Sequence, residues 1–343
     1  MTANVEQRVN RLWYGGSPLY RLLLPLSWLF RIVVAVRRWA YRVSILNSQG
    51  VGAPVIVVGN ISAGGTGKTP VTLWLAQSLA KRGFHPAIIS RGYGATPGER
   101  PRLVDAESEP ATVGDEALLL AARSECPVVV HPDRVAAARM AVESGADVLI
   151  ADDGLQHYRL ARDFEIAVVD GTRGIGNGAL MPAGPLREPV SRLDAVDAVL
   201  VHRHADGDLS FLRRATDTRP LQFWLRPGGV ARVDESELRQ IEDFAGRTVH
   251  AVAGIGHPER FFRMLESYSI KVYRHPLPDH AEIGPADISF DDDLPVLMTE
   301  KDAVKCRWLD TRKCWYVVVD LAFEGPGENK LLEQIERAAG GRR

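Results

Sequence analysis

The chain is poor in cysteine and shows no surplus of either charge. Its three cysteines, Cys126, Cys306 and Cys314, are scattered through 343 residues without a CxxC pair. That spacing argues against a disulfide framework or a cysteine-held zinc and fits a reducing compartment. Lys and Arg number 42 against 43 Asp and Glu, a formal net charge of -1, so there is no global attraction for nucleic acid. No base-stacking motif accompanies it, and no nucleic-acid partner is expected. Internal repeats and low-complexity tracts are missing. So is any uninterrupted apolar run of the roughly 20 residues a spanning helix needs. No small-residue cleavage site follows a clean apolar core, which does not suit a secretory signal. What remains is an ordinary globular balance, 45% apolar and 25% charged, in a chain long enough for two domains with a core each.

Against that background residues 56–70, IVVGNISAGGTGKTP, stand out. An apolar β-branched run empties into a glycine-rich turn and then a helix-ready segment, the layout of a phosphate-binding loop. Glycines let backbone N–H groups converge on phosphate oxygens without Cβ clashes. Ser62, Ala63, Gly64, Gly65, Thr66, Gly67, Lys68 and Thr69 are therefore the candidate nucleotide-binding residues. Lys68 would reach the β- and γ-phosphates of ATP, and the Thr69 hydroxyl would ligate Mg²⁺. The strict pattern has glycine where this chain has Ser62.

Residues 20–46, YRLLLPLSWLFRIVVAVRRWAYRVSIL, break the soluble pattern. Two short apolar runs are separated by Arg31 and flanked by Arg21, Arg37, Arg38 and Arg42, with Trp28, Trp39, Tyr20 and Tyr41 interleaved. Cations and aromatics beside an apolar face predict a helix lying at the headgroup level of an anionic membrane. The alternative is a helix packed on the core with its arginines extended into water.

Beyond the loop the pattern alternates. Helices are expected near 70–82, 115–123 and 134–145, and strands near 87–90, 127–131, 148–151, 164–170 and 198–202. That is an open parallel sheet, whose ligands sit beyond the carboxyl ends of the strands. Four regions are expected: an N-terminal helical region (1–46) belonging to the first domain, a phosphate-loop core (47–222), a linker (223–235) and a smaller C-terminal α/β domain (236–338).

The loops carry the acids. Residues 147–154, DVLIADDG, form an apolar strand ending in two aspartates; Asp152 is the expected Mg²⁺ ligand and Asp153 its neighbour. Adjacent carboxylates on an extended strand point to opposite sides, so both need not touch one ion. Asp115 and Glu116 open a helix after Gly114, where acids often do no more than complement the helix dipole. Arg91, and Arg173, Arg187 and Glu188 in the glycine- and proline-rich stretch 171–189, could clamp an anionic or sugar substrate, or simply be solvated loop groups. His280, in PDHAEI, could reach the phosphate site from a second domain.

Taken in series, GNISAGGTGKTP, SRGYG, GDEALLLA, HPDR, DDGLQHYRLARDFEIAVVDGTRGIGNGALMPAGPLREP, AGIGHPERFF, LPDH and TEKDAVKC resemble the tetraacyldisaccharide 4′-kinases, from the N-terminal apolar helix to about residue 320. The resemblance implies an ATP- and Mg²⁺-dependent enzyme, peripheral on the cytoplasmic face of the inner membrane. It would phosphorylate the 4′-hydroxyl of an acylated glucosamine disaccharide 1-phosphate in lipid A biosynthesis, and it implies no protein partner. The implied fold is a phosphate-loop, mostly parallel α/β domain with a second, smaller α/β domain and a membrane-associated helix. On the matching positions, Lys68 and Thr69 serve phosphate and metal, Asp152 the metal, Asp115 the base and His280 its support. Asp153, Arg91, Arg134, Gln156, His157, Arg187 and Glu188 match positions lining the cleft. Asp115 and Asp153 both stay open as the base. The family's first loop position is commonly serine, as here. The family often has a second histidine where this chain has Ala281.

A membrane-bound ATPase switch could use the same loop and an amphipathic helix, but it has no need of the LREP loop or a second domain. A guanine-specific reading fails because TEKD carries its lysine one place later than NKxD requires. A nucleotide-sensing scaffold would need no poised carboxylate.

Overall fold

The structure is a computed structural model. It describes residues 2–340 except Pro97, Ala106, 204–209, 216–217, His280 and Arg307. Among the described residues thirteen strands form one sheet. In chain order they are β1 (Val55–Gly59), β2 (Pro86–Ser90), β3 (Arg102–Leu103), β4 (Val128–Val130), β5 (Val148–Asp152), β6 (Phe164–Asp170), β7 (Ala198–His202), β8 (Leu221–Arg232), β9 (Leu238–Arg239), β10 (Thr248–Ala253), β11 (Lys271–Pro276), β12 (Val296–Thr299) and β13 (Cys314–Phe323). The sheet runs β11-β10-β12-β13-β8-β7-β6-β1-β5-β2-β4-β3, with β9 added to β8.

β1 sits at the middle of the first half, parallel to β5 on one side and β6 on the other. All five of its residues are buried, as a strand covered on both faces demands. The chain leaves β1 toward β2 and later returns to its opposite side at β6, so the order reverses at β1. A crevice opens at such a reversal, outside the carboxyl ends of the strands. The second half repeats the device: β10 lies between parallel neighbours β11 and β12, and the loops after all three end at its own reversal point.

The segment expected to be a linker at 223–235 is instead mostly strand. β8 pairs in parallel with β7 through Leu221–Phe223 and then antiparallel with β13 along nearly its whole length. The stretch FWLRPGGVARVDE places Pro227, Gly228 and Gly229 between an aromatic start and two valines, and it reads as linker until a partner strand satisfies its backbone. The ladder shifts register between Val318 and Val319. The two halves thus share a two-stranded ribbon rather than hanging on a flexible tether.

The C-terminal helix, Gly327–Gly340, follows β13 out of the second half and packs on the first. Leu331, Leu332 and Ile335 join Leu75 and Leu79 of helix Lys68–Lys81 in one apolar cluster. Trp74 donates its indole N–H to Glu328 at 2.8 Å, and Arg82 pairs with Glu336 at 2.5 Å. The expected assignment of this helix to the C-terminal region followed chain order; its apolar stripe has its partner surface in the other half.

The N-terminal stretch is helical over Pro18–Arg42, 25 residues that are long and apolar enough by length and composition to cross a membrane. Arg31 does not interrupt the helix, so the two short apolar runs join into one. Ser27, Phe30, Val34, Arg38 and Tyr41 recur at helical spacing on its shielded side. Ser27 donates to the Leu180 carbonyl at 2.6 Å and accepts from the Ala183 N–H at 3.0 Å. Leu22, Leu26, Leu29, Ile32, Val36 and Trp39 on the other side are exposed.

Ile335, fully buried, tests where the last helix belongs. Ile335→Ala should lower unfolding stability by about 2–5 kcal/mol, seen in denaturant titration as an earlier loss of the half that carries the phosphate loop.

Candidate active site

The phosphate loop leaves β1 and wraps onto the start of helix Lys68–Lys81. Gly64 and Gly67 have φ values of 101° and 94°, backbone that side-chain-bearing residues rarely adopt. Asn60 braces the turn from inside, its amide donating to the Gly64 carbonyl at 3.2 Å and to Thr66 Oγ1 at 3.3 Å. Ser62 is buried and bridges to Leu186, while the Ala63 N–H donates to the Pro185 carbonyl at 2.8 Å. The loop is therefore held by the LREP segment before any nucleotide arrives. The helix start and its dipole point at the site, as phosphate binding requires.

β5 delivers the acids. Asp152 is its last residue, buried, with Oδ1 accepting from the Thr72 hydroxyl at 3.1 Å. Burial pushes its carboxyl up to about 7, and the nearby Glu116 and Asp153 carboxylates add to the shift. Asp153 turns the chain with φ of 48°, a left-handed conformation that strains a side-chain-bearing residue. Its carboxylate lies 3.6 Å from Lys68 Nζ and 3.1 Å from Arg187 Nη1. Burial raises its pKa, but these two cations more than offset that and hold it below the usual carboxylate range. The two neighbours thus titrate in opposite directions, burial outweighing Lys68 at Asp152 and the cations outweighing burial at Asp153.

Arg134 is buried behind β5, donating to the Asp152 carbonyl at 3.2 Å and the His131 carbonyl at 3.1 Å, and its Nε lacks a partner. Burial holds its guanidinium down to about 10. Burial and Arg134 hold the His157 imidazole down to about 4, so it is neutral at physiological pH. Gln156 donates to the Asn60 carbonyl at 3.0 Å and to Glu188 at 2.8 Å. Glu188 is buried and also accepts from the Tyr158 hydroxyl at 2.5 Å and pairs with Arg192 at 3.4 Å. Glu188 is a knot that ties the LREP segment to the loop after β5. Arg91, at the end of β2, is exposed at the cavity edge.

One cavity of about 980 Å³ gathers these groups. Gly64, Gly65, Gly67, Lys68, Thr69, Arg91, Arg134, Asp152, Asp153, Gln156, His157, Arg187 and Glu188 all line it. Ser62, Ala63, Thr66 and Asp115 are not among the lining groups; Asp115 starts helix Asp115–Ser124 next to Glu116, which is. His280 lies outside the described residues. The second half contributes His257, Arg260, Asp279 and Lys301, and the N-terminal helix contributes Phe30, Val33, Val34 and Arg37.

Sequence reasoning missed the charges that join the two halves. Asp170, at the end of β6, holds Arg260 of helix Pro258–Ser267 with bonds of 2.9 and 3.2 Å and accepts the Thr172 and Arg173 N–H groups at 2.8 and 3.0 Å. Burial raises the Asp170 pKa, but the Arg260 bonds outweigh it and bring the carboxyl down to about 2. Arg173 rests against Gly64, stacks over Tyr14 at 5.1 Å and reaches His257 Nδ1 at 3.4 Å. Lys301 lies 3.4 Å from Glu116, and Arg123 pairs with Glu300. The signal for these was present in GHPERFF and TEKDAVK, but a motif in one half does not reveal its partner in the other.

A parallel α/β sheet with a phosphate loop at its order reversal, an acid-ended neighbouring strand and a second half closing on the cleft defines a phosphate-loop nucleotide-binding enzyme. Residues 19–339 match the model of the family described as tetraacyldisaccharide-1-P 4′-kinase. The chain is 44% identical to the tetraacyldisaccharide 4′-kinase of Nitrosococcus oceani over 96% of this chain and 95% of that one. It is 46% identical to that of Alkalilimnicola ehrlichii over 95% and 96%. It also superimposes on the crystal structure of LpxK from Aquifex aeolicus in complex with ATP, with TM-score 0.78 and 28% identity, covering 94% of this chain and 99% of that one. The chain belongs to the tetraacyldisaccharide 4′-kinase family.

The Asp170–Arg260 bridge has a defined pH signature. A carboxyl lowered from 3.8 to about 2 contributes stability that is complete above about pH 4 and lost as pH falls through about 2. The shift corresponds to about 2 kcal/mol. Asp170→Asn should remove about that much at pH 7 and leave the acid-unfolding curve less steep below pH 4 than in the wild type.

Proposed function

We propose that this protein transfers the γ-phosphate of ATP to the 4′-hydroxyl of a tetraacylated glucosamine disaccharide 1-phosphate, in lipid A biosynthesis, at the cytoplasmic face of the inner membrane. The observation that carries this reading is that one cavity is lined both by the phosphate loop and by Phe30, Val33, Val34 and Arg37 of the N-terminal helix. An ATPase switch has no use for an apolar wall beside its phosphate loop. An acceptor with acyl chains in a bilayer and a sugar head in the cleft does.

The geometry supports a division of labour. Lys68 brings its charge to the β- and γ-phosphates, steadied by Asp153 at 3.6 Å. Arg187 and Arg91 offer cations to acceptor or nucleotide phosphates, and Arg134 fixes the backbone that carries Asp152. Asp115, next to the lining Glu116 and itself set back from the cavity surface, would accept the proton of the attacking 4′-hydroxyl once the acceptor is seated, while the new O–P bond forms and the bond to the ADP oxygen breaks. A loose phosphoryl-transfer transition state asks for an oriented hydroxyl more than a strong base, so an ionised aspartate suffices. Asp153, set between Lys68 of the phosphate loop and Arg187, is placed on the nucleotide side of the cleft and suits positioning. Glu188 and Gln156 shape the cleft through the loop they hold.

Thr69 and Asp152 fit a divalent cation. Asp152 is a buried carboxylate whose charged form is disfavoured by burial and two anionic neighbours and only partly compensated by Lys68. Among the described residues no group of three His, Cys, Asp or Glu side chains could hold a metal by themselves. That matches an ion held by one or two protein groups together with nucleotide phosphates. When bound, Mg²⁺ would neutralise charge developing on the transferred phosphoryl group.

The N-terminal helix supports attachment to the membrane surface. Its shielded face is fixed to the first half through Ser27, while Leu22, Leu26, Leu29 and Val36 form an exposed apolar stripe flanked by arginines. Leu26→Glu with Leu29→Glu should cut flotation with anionic vesicles severalfold and leave ATP binding intact. Transfer of labelled γ-phosphate to detergent-dispersed tetraacyl disaccharide 1-phosphate tests the reaction itself. Wild type should yield labelled lipid only with Mg²⁺, and Lys68→Ala should yield none. Free phosphate without labelled lipid, from folded wild-type protein, would favour the ATPase switch.

A further inference from the structure

Two lysines one helical turn apart, Lys301 and Lys305, reach from the second half toward the acids that open helix Asp115–Ser124. Lys305 Nζ donates to the Ala281 carbonyl at 3.1 Å and to Asp302 Oδ1 at 3.2 Å, and lies 3.6 Å from Asp115 Oδ2. Its side chain is 9% exposed and that of Asp115 is 6% exposed. Asp302, completely buried, is itself fixed by the Gly254 N–H at 2.9 Å and the Thr299 hydroxyl at 2.6 Å. Lys301 Nζ lies 3.4 Å from Glu116, 3.5 Å from Asp279 and 3.9 Å from Asp115. Lys301 lines the cavity and Lys305 lies behind its wall.

We propose that Lys305, with Lys301 beside it, is a positioning residue that keeps the Asp115 carboxylate ionised and oriented when the two halves of the molecule meet. The inference rests on the reading of Asp115 as the base. A carboxylate taken out of water without a counterion becomes neutral, and a neutral acid cannot accept the acceptor's proton. An ammonium is a compact charge with three donors and no acceptor, so it can hold the carboxylate without competing for that proton. Here the ammonium has three oxygens around it, one of them on the opposite half. The base is therefore completed by the same approach that excludes water from the cleft, and an open molecule would not waste ATP on hydrolysis.

Lys305→Met should lower kcat for lipid phosphorylation by about tenfold or more, up to the roughly 10²–10⁴-fold a positioned base contributes, with KM for ATP close to wild type; because it also removes the cation beside the buried Asp302, the thermal midpoint should fall. Lys305→Arg, which keeps the charge, should recover most of that loss. Should Lys305→Met not fold, Lys301→Met and Lys305→Arg provide the same kcat-against-KM comparison. In an Asp115→Asn background Lys305→Met should cost nothing further. Wild-type kcat in Lys305→Met beside an inactive Asp115→Ala would overturn the inference and leave the base reading standing. Full turnover by Asp115→Ala would overturn both. A rise in KM that parallels the fall in thermal midpoint and that Lys305→Arg does not reverse would also overturn it, since that marks a merely structural lysine.

Discussion

Charge pairing across the cleft is the interaction on which the site depends. Each half has its own reversal point in the one continuous sheet, while an apolar cluster that includes Leu75, Leu79, Leu331 and Ile335 ties the C-terminal helix to the phosphate-loop half. The functional groups, however, are split between them. Asp170 holds Arg260, Glu116 and Asp115 face Lys301 and Lys305, and Glu300 holds Arg123. These pairs are shielded enough for their Coulomb energy to matter, unlike ordinary surface pairs that salt and water screen. They are also costly to leave half-made, since separating the halves would strand partly buried charges until water reached them. At the cleft itself the contacts across it are thus mainly charged, which suits a site that must open to exchange ATP for ADP.

The shared ribbon of β8 and β13 complements this. It is antiparallel and continuous, so it limits relative motion of the halves to bending and twisting. Its register shift at Val318/Val319, opposite Pro227–Gly229, is where the ladder is weakest. Ion pairs at the mouth and a ribbon at the back leave bending and twisting of the ribbon as the motions by which Lys305 would approach Asp115.

What could be read from the sequence was local. The phosphate loop, the acid pair after β5 and the alternation of β1 to β7 with helices are encoded in contiguous residues, and the structure places them where the pattern puts them. What could not be read was pairing at long range. Residues 223–235 look like a linker because a ribbon strand has no signature until its partner, some ninety residues on, is known. The helix Gly327–Gly340 looks like part of the C-terminal half because its amphipathic stripe does not say which surface it covers. Lys301 and Lys305 sit in TEKDAVKC with no sign of their role, because their counterions, Asp115 and Glu116, lie far upstream. Glu188 reads as a substrate contact from its exposed-looking loop, yet Tyr158, Gln156 and Arg192 surround it.

The electrostatics of β5 join these threads. Two adjacent aspartates with the same intrinsic chemistry are driven apart by position alone: Asp153 is turned toward Lys68 and Arg187, and Asp152 is buried deeply enough that Lys68 does not offset the burial. The left-handed backbone at Asp153 is what separates them, because a regular strand would still send alternate side chains to opposite faces but would not bring the second one to the phosphate loop. Strain of this kind persists only where surrounding contacts over-determine it, and here the Gly154 N–H bonded to the Val58 carbonyl at 3.2 Å and the Arg187 bridge do so. Under the proposed function, Asp152 would be the place for a cation arriving with nucleotide. Its neutralisation would also reduce the repulsion that Glu116 exerts from the first turn of the Asp115 helix. Nucleotide loading and the lysine-bearing half would thus act on the same acidic cluster from opposite sides, coupling the filling of the site to its closure.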